Sequence, residues 1–160
     1  MIDLIPSWLA RRDPRFSEAS PRDASAIAAL HAASFHRGWS DVELEGLLID
    51  PHVVTHRATL GQKLAGFIMS RIVKGEAEVL SVAVAPAQRG RGVARQLLEV
   101  HLRRLASLGI RTVFLEVGED NTPARRLYRR MGFGEVGRRK GYYADGPGPA
   151  SAALTLRRDL

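Results

Sequence analysis

The 160-residue chain contains no cysteine. That absence excludes disulfide scaffolds, thiol nucleophiles and Cys-ligated zinc together. It also has no run of about 20 apolar residues, so no segment reads as a transmembrane helix. The opening MIDLIPSWLARRDPRF has neither the basic start nor the long apolar stretch of a secretory leader, and a cytoplasmic protein is the expectation. Aromatics are few, at 6%, and lysine is scarce. Lys63, Lys74 and Lys140 are three of the 24 basic residues, which leaves 21 arginines.

What is present is ordinary for one folded domain: 45% hydrophobic and 26% charged residues, without repeats or low-complexity blocks. The net charge is +7. Arginine forks grip phosphates and carboxylates in bidentate fashion, so an anionic ligand fits this composition. A solvated Arg-rich surface explains the charge more simply, because net charge reports solubility and nonspecific binding rather than fold.

Residues 1–15 read as an N-terminal arm broken by Pro6 and Pro14, and 16–160 as a single domain. Phe16–Ala19 reads as a short strand. Ser20-Pro21 and Ser40-Asp41 each open a helix, with the serine at the N-cap. Strands follow from Val53, from Leu64 to Val73 and from Ala77 to Ala85. The helix predicted over 92–108 carries Val93, Leu97, Leu98, Leu102 and Leu105 at helical spacing and stops at Gly109. Thr112–Val117 has the near-continuous apolar character of a buried parallel strand. A helix over Pro123–Met131 and strands over Phe133–Tyr143 and Ala152–Arg158 complete the chain. The order β-α-α-β-β-β-α-β-α-β-β predicts an α/β fold with a mixed central sheet flanked by helices.

The most informative stretch is Val82-Ala83-Val84-Ala85-Pro86-Ala87-Gln88-Arg89-Gly90-Arg91-Gly92-Val93-Ala94-Arg95, in which a strand ends at proline and a basic, Gly-rich loop opens a helix. A helix start leaves backbone N–H groups unpaired and attracts anions, and glycine lets that backbone approach a phosphate. The Walker A pattern is absent. The dinucleotide fingerprint fails at Arg95, where its third glycine belongs. An ordinary basic β–α turn is the alternative.

Arg89, Gly92 and Ala94 spell R-x-x-G-x-A, which resembles the Q/R-x-x-G-x-G/A signature of the GNAT acetyltransferases. Asn121, Ala124, Leu127, Tyr128, Gly132 and Phe133 resemble the family's second signature, N-x-x-A-x-x-L-Y-x-x-x-G-F. Leu115-Glu116-Val117 and Tyr142-Tyr143, together with His31–Phe35 and Gly38-Trp39-Ser40, narrow the resemblance to ribosomal-protein-alanine N-acetyltransferases, the RimI type.

The resemblance implies the GNAT fold, acetyl-CoA as co-substrate and no metal. It implies cofactor contacts from Val82, Ala83 and Val84 on the strand, from Arg89, Gly90, Arg91, Gly92, Val93, Ala94 and Arg95 on the loop, and from Asn121. The acceptor it implies is a peptide or protein N-terminus, a ribosomal protein among them, and nucleic acid is not expected as a substrate. Two departures keep a small-molecule amine open as acceptor. Gly38 stands where that subgroup usually has proline, and Gly146–Ala152 lacks the usual acidic residue.

Acetyl transfer to an amine needs a neutral nucleophile and a proton for the departing thiolate. An α-amine, with a pKa of about 7.7–8.0, sheds its proton more readily than a lysine at about 10.4. Glu116, on an otherwise apolar strand, is read through the resemblance as the base; a salt-bridged or edge-exposed Glu is the plainer reading. Tyr128 is read as the acid, with a core aromatic against Leu127 and Phe133 as its alternative. A backbone N–H of the Val82–Val84 strand should meet the developing oxyanion. With no cysteine for a covalent intermediate, direct attack is expected.

Between Asn121 and Tyr142, Arg125, Arg126, Arg129, Arg130, Arg138, Arg139 and Lys140 face a single acid, Glu135. They read equally as an RNA-facing surface or as a solvated face near the CoA 3′-phosphate. A non-catalytic RNA- or ribosome-binding module that keeps CoA as a structural ligand therefore remains a second class of function. Trp39, Tyr142 and Tyr143 are candidate walls of a peptide groove, or core aromatics.

Overall fold

Three local signals set the helices of the computed structural model, which describes residues 13–141 and 151–160. The Asp23 carboxylate accepts from the Ser20 N–H at 2.8 Å, so Pro21–Asp23 forms a short 3-10 turn that runs into α1, Ala24–Ser34. Ser40 and Glu43 exchange reciprocal side-chain bonds of 3.2 and 2.8 Å and open α2, Asp41–Ile49. The other two helices, α3 (Val93–Ser107) and α4 (Thr122–Arg130), close on the same stop motif. Ile110 N–H reaches Leu105 O and Gly109 N–H reaches Ala106 O; Phe133 N–H reaches Tyr128 O and Gly132 N–H reaches Arg129 O.

The strands are β1 (Arg15–Glu18), β2 (Val53–Leu60), β3 (Lys63–Val73), β4 (Glu76–Val84), β5 (Thr112–Gly118), β6 (Gly134–Arg139) and β7 (Ala153–Asp159). They form one sheet in the order β1-β2-β3-β4-β5-β7-β6. Every neighbouring pair is antiparallel except β4 and β5. The element order is the one expected from sequence. Most boundaries shift by about one residue, and two of the shifts have a clear local cause. The first strand begins at Arg15, inside the expected arm, where Arg15 pairs with Thr59. The sixth spans Gly134–Arg139 rather than Phe133–Tyr143: the α4 stop motif holds Phe133, and a turn occupies Lys140 and Gly141. Residues 1–12 of the arm, Tyr142 and Tyr143 lie outside the described residues.

Two apolar layers sandwich the sheet. On one side, Val93, Leu97, Leu98, Leu102 and Leu105 of α3 and Tyr128 of α4 pack with Ile68, Val113, Leu115 and Leu154. On the other, Ile27 and Leu30 of α1 and Leu44 of α2 pack with Phe67 and Met69. His31 links α1 to the start of α2: its Nδ1 accepts from Trp39 N–H at 3.2 Å, and its ring stacks on the Trp39 indole. A second polar cluster lies under α3. His101 Nδ1 is 2.8 Å from His56 Nδ1, and its Nε2 is 2.7 Å from Ser70 Oγ; all three residues are buried. Burial lowers the pKa of both rings, that of His101 to about 3.

The parallel β4–β5 pairing covers only Glu76–Glu78 against Thr112–Phe114. Beyond those three pairs the strands part. A β-bulge leaves Leu80 unpaired, because Met69 faces Ser81 while Ser70 faces Val79. This opening in mid-sheet positions the site.

The wall of the opening has little slack. A Cβ on Gly66 would meet Ala83 O at 2.9 Å and Leu97 Cδ1 at 3.1 Å. Gly66→Ala must therefore displace β4 backbone, and a loss of about 1–3 kcal/mol is expected. It should be read as a lower urea midpoint, and an unchanged midpoint would show that β4 can yield.

Candidate active site

The parted strands and α4 enclose a groove of three adjoining cavities. The first, of about 430 Å³, is lined by Ser81 and Val82 of β4, Glu116 of β5, and Asn121 and Tyr128 at α4. The second shares Val82, Asn121 and Tyr128 and adds Val84, Arg89 and Leu127. The third continues past Val84, Arg89 and Leu127 to Gly90, Gly92, Val93 and Arg95. Glu116, Asn121 and Tyr128, which are separated in sequence, thus stand at one end of a channel, with the basic loop at the other.

The loop end has the chemistry of an anion site. Gly92 caps α3 in the left-handed conformation, with φ of +79°, which an L side chain adopts only under strain. The N–H groups of Val93, Ala94 and Arg95 have no acceptor within the helix and point outward from its first turn. Arg89 is anchored by its Nε, which donates to Val84 O at 3.2 Å. Arg126 and Arg130 of α4 join Arg89 and Arg95 around this cavity, so part of the α4 basic face turns toward the groove. Arg125 instead donates to Glu119 O at 2.9 Å. Arg91 turns toward Gln88 Oε1 at 3.4 Å and does not line these cavities. Arg95 also faces Glu99 at 3.6 Å.

At the other end, the α4 stop motif brings Phe133 back against Tyr128, with ring centroids 5.9 Å apart in an edge arrangement. Tyr128 packs in the core, as its alternative reading has it, and also lines two of the cavities. Burial pushes the pKa of its hydroxyl up to about 12. Asn121 caps α4, its Oδ1 accepting from Ala124 N–H at 3.3 Å, and still borders the groove. Glu116 lines the first cavity and is ion-paired with Arg139 of β6 at 2.5 Å. The plainer sequence reading of Glu116, a salt-bridged carboxylate, describes its contact.

Trp39 lies on His31 and does not line the groove; the exposed Phe35, at the end of α1, borders the first two cavities instead. The sequence reading includes Phe35 in the His31–Phe35 resemblance but gives it no site role. It also passed over Ser81, whose hydroxyl is buried in the first cavity's wall without a partner among the described residues. An orphaned hydroxyl beside a bulge, a strand edge left unpaired and a glycine-cornered basic loop together fit an elongated phosphate-bearing ligand with hydrogen-bonding groups along its length.

The family model for the acetyltransferase (GNAT) family matches residues 15–133, from β1 to the end of the α4 stop motif. The chain belongs to this family. The acetyltransferase is 36% identical over 143 residues to the N-alpha-acetyltransferase RimI of Mycobacterium tuberculosis, covering 86% of this chain and 87% of that one. It is 34% identical over 98 residues to the [ribosomal protein bS18]-alanine N-acetyltransferase of Salmonella typhimurium, a match spanning 61% of this chain and 66% of the relative.

Its fold superposes on the crystal structure of the ribosomal-protein-S18-alanine N-acetyltransferase from Escherichia coli with a TM-score of 0.85 at 25% identity, covering 92% of this chain and 94% of the other. Arabidopsis thaliana NAA60 in complex with acetyl-CoA shares the fold, with a TM-score of 0.83 at 21% identity, covering 92% and 99%. The enzyme is an acetyl-CoA-dependent N-acetyltransferase with the GNAT fold, and acetyl-CoA is its co-substrate. No helix of the described residues is long and apolar enough to cross a membrane.

Proposed function

We propose that this acetyltransferase acetylates the α-amine of a protein N-terminus, with an alanine-initiated ribosomal protein as the acceptor class. The observation that carries this reading is the meeting of Glu116, Asn121 and Tyr128 at one end of a channel whose other end is the basic loop. The names of the RimI relatives support the acceptor class.

The loop from Arg89 to Arg95, with Arg126 and Arg130 beside it, holds the phosphates. Val82, Ala83 and Val84 present the β4 backbone to the arm that follows. Acetyl-CoA supplies the activated acyl group. Glu116 takes a proton from the amine nitrogen, directly or through water, as the nitrogen forms its bond to the thioester carbonyl carbon. A β4 backbone N–H meets the carbonyl oxygen as charge develops there. The carbon–sulfur bond breaks, the Tyr128 hydroxyl gives its proton to the departing sulfur, and solvent re-equilibrates Glu116 and Tyr128.

The test is CoA release with three acceptor sets: peptides with a free N-terminal Ala or Ser, N-blocked peptides carrying Lys, and small amines such as spermidine. Turnover confined to free N-termini is expected. Turnover on small amines alone would overturn the acceptor assignment. Salt-sensitive RNA binding without any turnover would favour the binding-module class.

A further inference from the structure

The proposed base does not stand alone. Arg139, the last residue of β6, reaches across β7 and places Nη2 2.5 Å from Glu116 Oε1. The Glu116 side chain is 24% exposed and that of Arg139 59%, so the pair lies at the mouth of the cavity rather than sealed within it. Several of the surrounding charges are engaged elsewhere. Glu119 accepts from Ala152 N–H and pairs with Arg138, both at 3.0 Å, and Arg157 of β7 pairs with Asp159 at 3.0 Å. From β4, Glu78 lines the same cavity, and from α4, Tyr128 does. Among the described residues, Arg139 is the cation in ion-pair contact with Glu116.

We propose that Arg139 is a specificity-determining positioning residue: by holding the Glu116 carboxylate, it restricts the acceptor to amines with a substantial neutral fraction and so favours an α-amine over a lysine ε-amine. This rests on the reading of Glu116 as proton acceptor. An arriving ammonium meets the opposed charges of the pair, whose fields largely cancel, and gains little by binding in protonated form. An amine that is already neutral escapes this handicap. At neutral pH an α-amine exceeds a lysine in neutral fraction by roughly 300-fold, from their ordinary pKa values. A site that gives no advantage to the ammonium form passes that ratio on as selectivity. Without the guanidinium, the Glu116 carboxylate attracts ammonium ions, and lysine gains most.

The experiment compares wild type, Arg139→Gln, Arg139→Lys and Glu116→Gln in the full chain. It measures kcat/KM from pH 6 to 9 on a peptide with a free N-terminal Ala and on an N-blocked peptide carrying Lys. Arg139→Gln is expected to narrow the α-to-ε preference by about tenfold or more and to move the rising limb on the α-amine peptide to lower pH. Arg139→Lys, which keeps a cation, should restore both. An Arg139→Gln enzyme that binds acetyl-CoA normally but keeps the preference and the limb in place would overturn the proposal. So would an equal loss on both peptides at every pH, the mark of a merely structural role. Undiminished turnover by Glu116→Gln would sink the reading of the base itself. Loss of turnover there, with an unmoved preference in Arg139→Gln, would sink only the role of Arg139.

Discussion

Tyr128→Phe is expected to lower kcat by about 10²–10⁴-fold, the range contributed by a positioned acid. The affinity for acetyl-CoA should stay within a few-fold. The phenylalanine ring keeps the edge contact with Phe133 and the packing against the α3 layer, so only the hydroxyl is removed. Burial holds that hydroxyl protonated, with a pKa of about 12. On the proposed mechanism, an acid so weak serves a late step: it hydrogen-bonds the sulfur as the carbon–sulfur bond lengthens and releases its proton only to a nearly formed thiolate. No alkaline limb from Tyr128 should therefore appear below about pH 10. Single-turnover rates with equilibrium acetyl-CoA binding separate the effects. Equal turnover would remove Tyr128 from the mechanism, and weakened binding at unchanged rate would reduce it to packing.

The fold should lose stability steeply on mild acidification, before carboxylates begin to titrate. His31, His56 and His101 all have pKa values lowered by burial, and His101 reaches about 3. For His56, burial dominates; the nearby Glu18 carboxylate raises the pKa and Arg104 lowers it. For His101, the neighbouring His56 adds to the effect of burial. The unfolded chain, with imidazoles near 6.5, binds more protons than the folded one below that pH. Stability is thus intact above pH 6.5 and falls as pH drops toward 3. One fully depressed histidine costs up to about 1.4 kcal/mol per pH unit, so roughly 2 kcal/mol should be lost between pH 6.5 and 4.5. Urea midpoints across that interval measure it, and NMR titration of the imidazoles assigns it. A flat midpoint from pH 7 to 5, or His101 titrating near 6.5, would refute the account.

The elements were legible where their causes are local. Ser40 with Glu43, Gly109 and Gly132 announce helix ends in a few residues, and the same residues make the caps and stop motifs in the fold. The loop from Arg89 to Arg95 was legible for the same reason: a strand, a proline, two glycines and a helix start are neighbours in the chain. Features made by distant residues were not legible. The bulge at Leu80 depends on the register between β3 and β4, which nothing in Glu76–Val84 alone specifies. Arg139 and Glu116 meet only because β7 inserts between β5 and β6 in the sheet. Trp39 was singled out as an aromatic near an expected groove, but its indole has a flat partner in His31 eight residues earlier. Phe35, half as conspicuous in sequence, reaches the groove because α1 ends there. The histidine cluster left no sequence signal, since His56, Ser70 and His101 come from three separate elements.

A seven-stranded sheet whose central seam is closed over three residue pairs behaves mechanically as two leaves on a short spine. A continuous sheet satisfies its main chain internally. Here the stretch of β4 past Glu78 faces no strand on the β5 side among the described residues. Whatever hydrogen-bonds that stretch ties the leaves together as it binds. Grip on the co-substrate and resistance to unfolding then become two readings of one quantity, rising together with ligand concentration as RT ln(1 + [L]/Kd). On the proposed reading of β4, acetyl-CoA is that ligand, and its concentration adds to the stability of the fold.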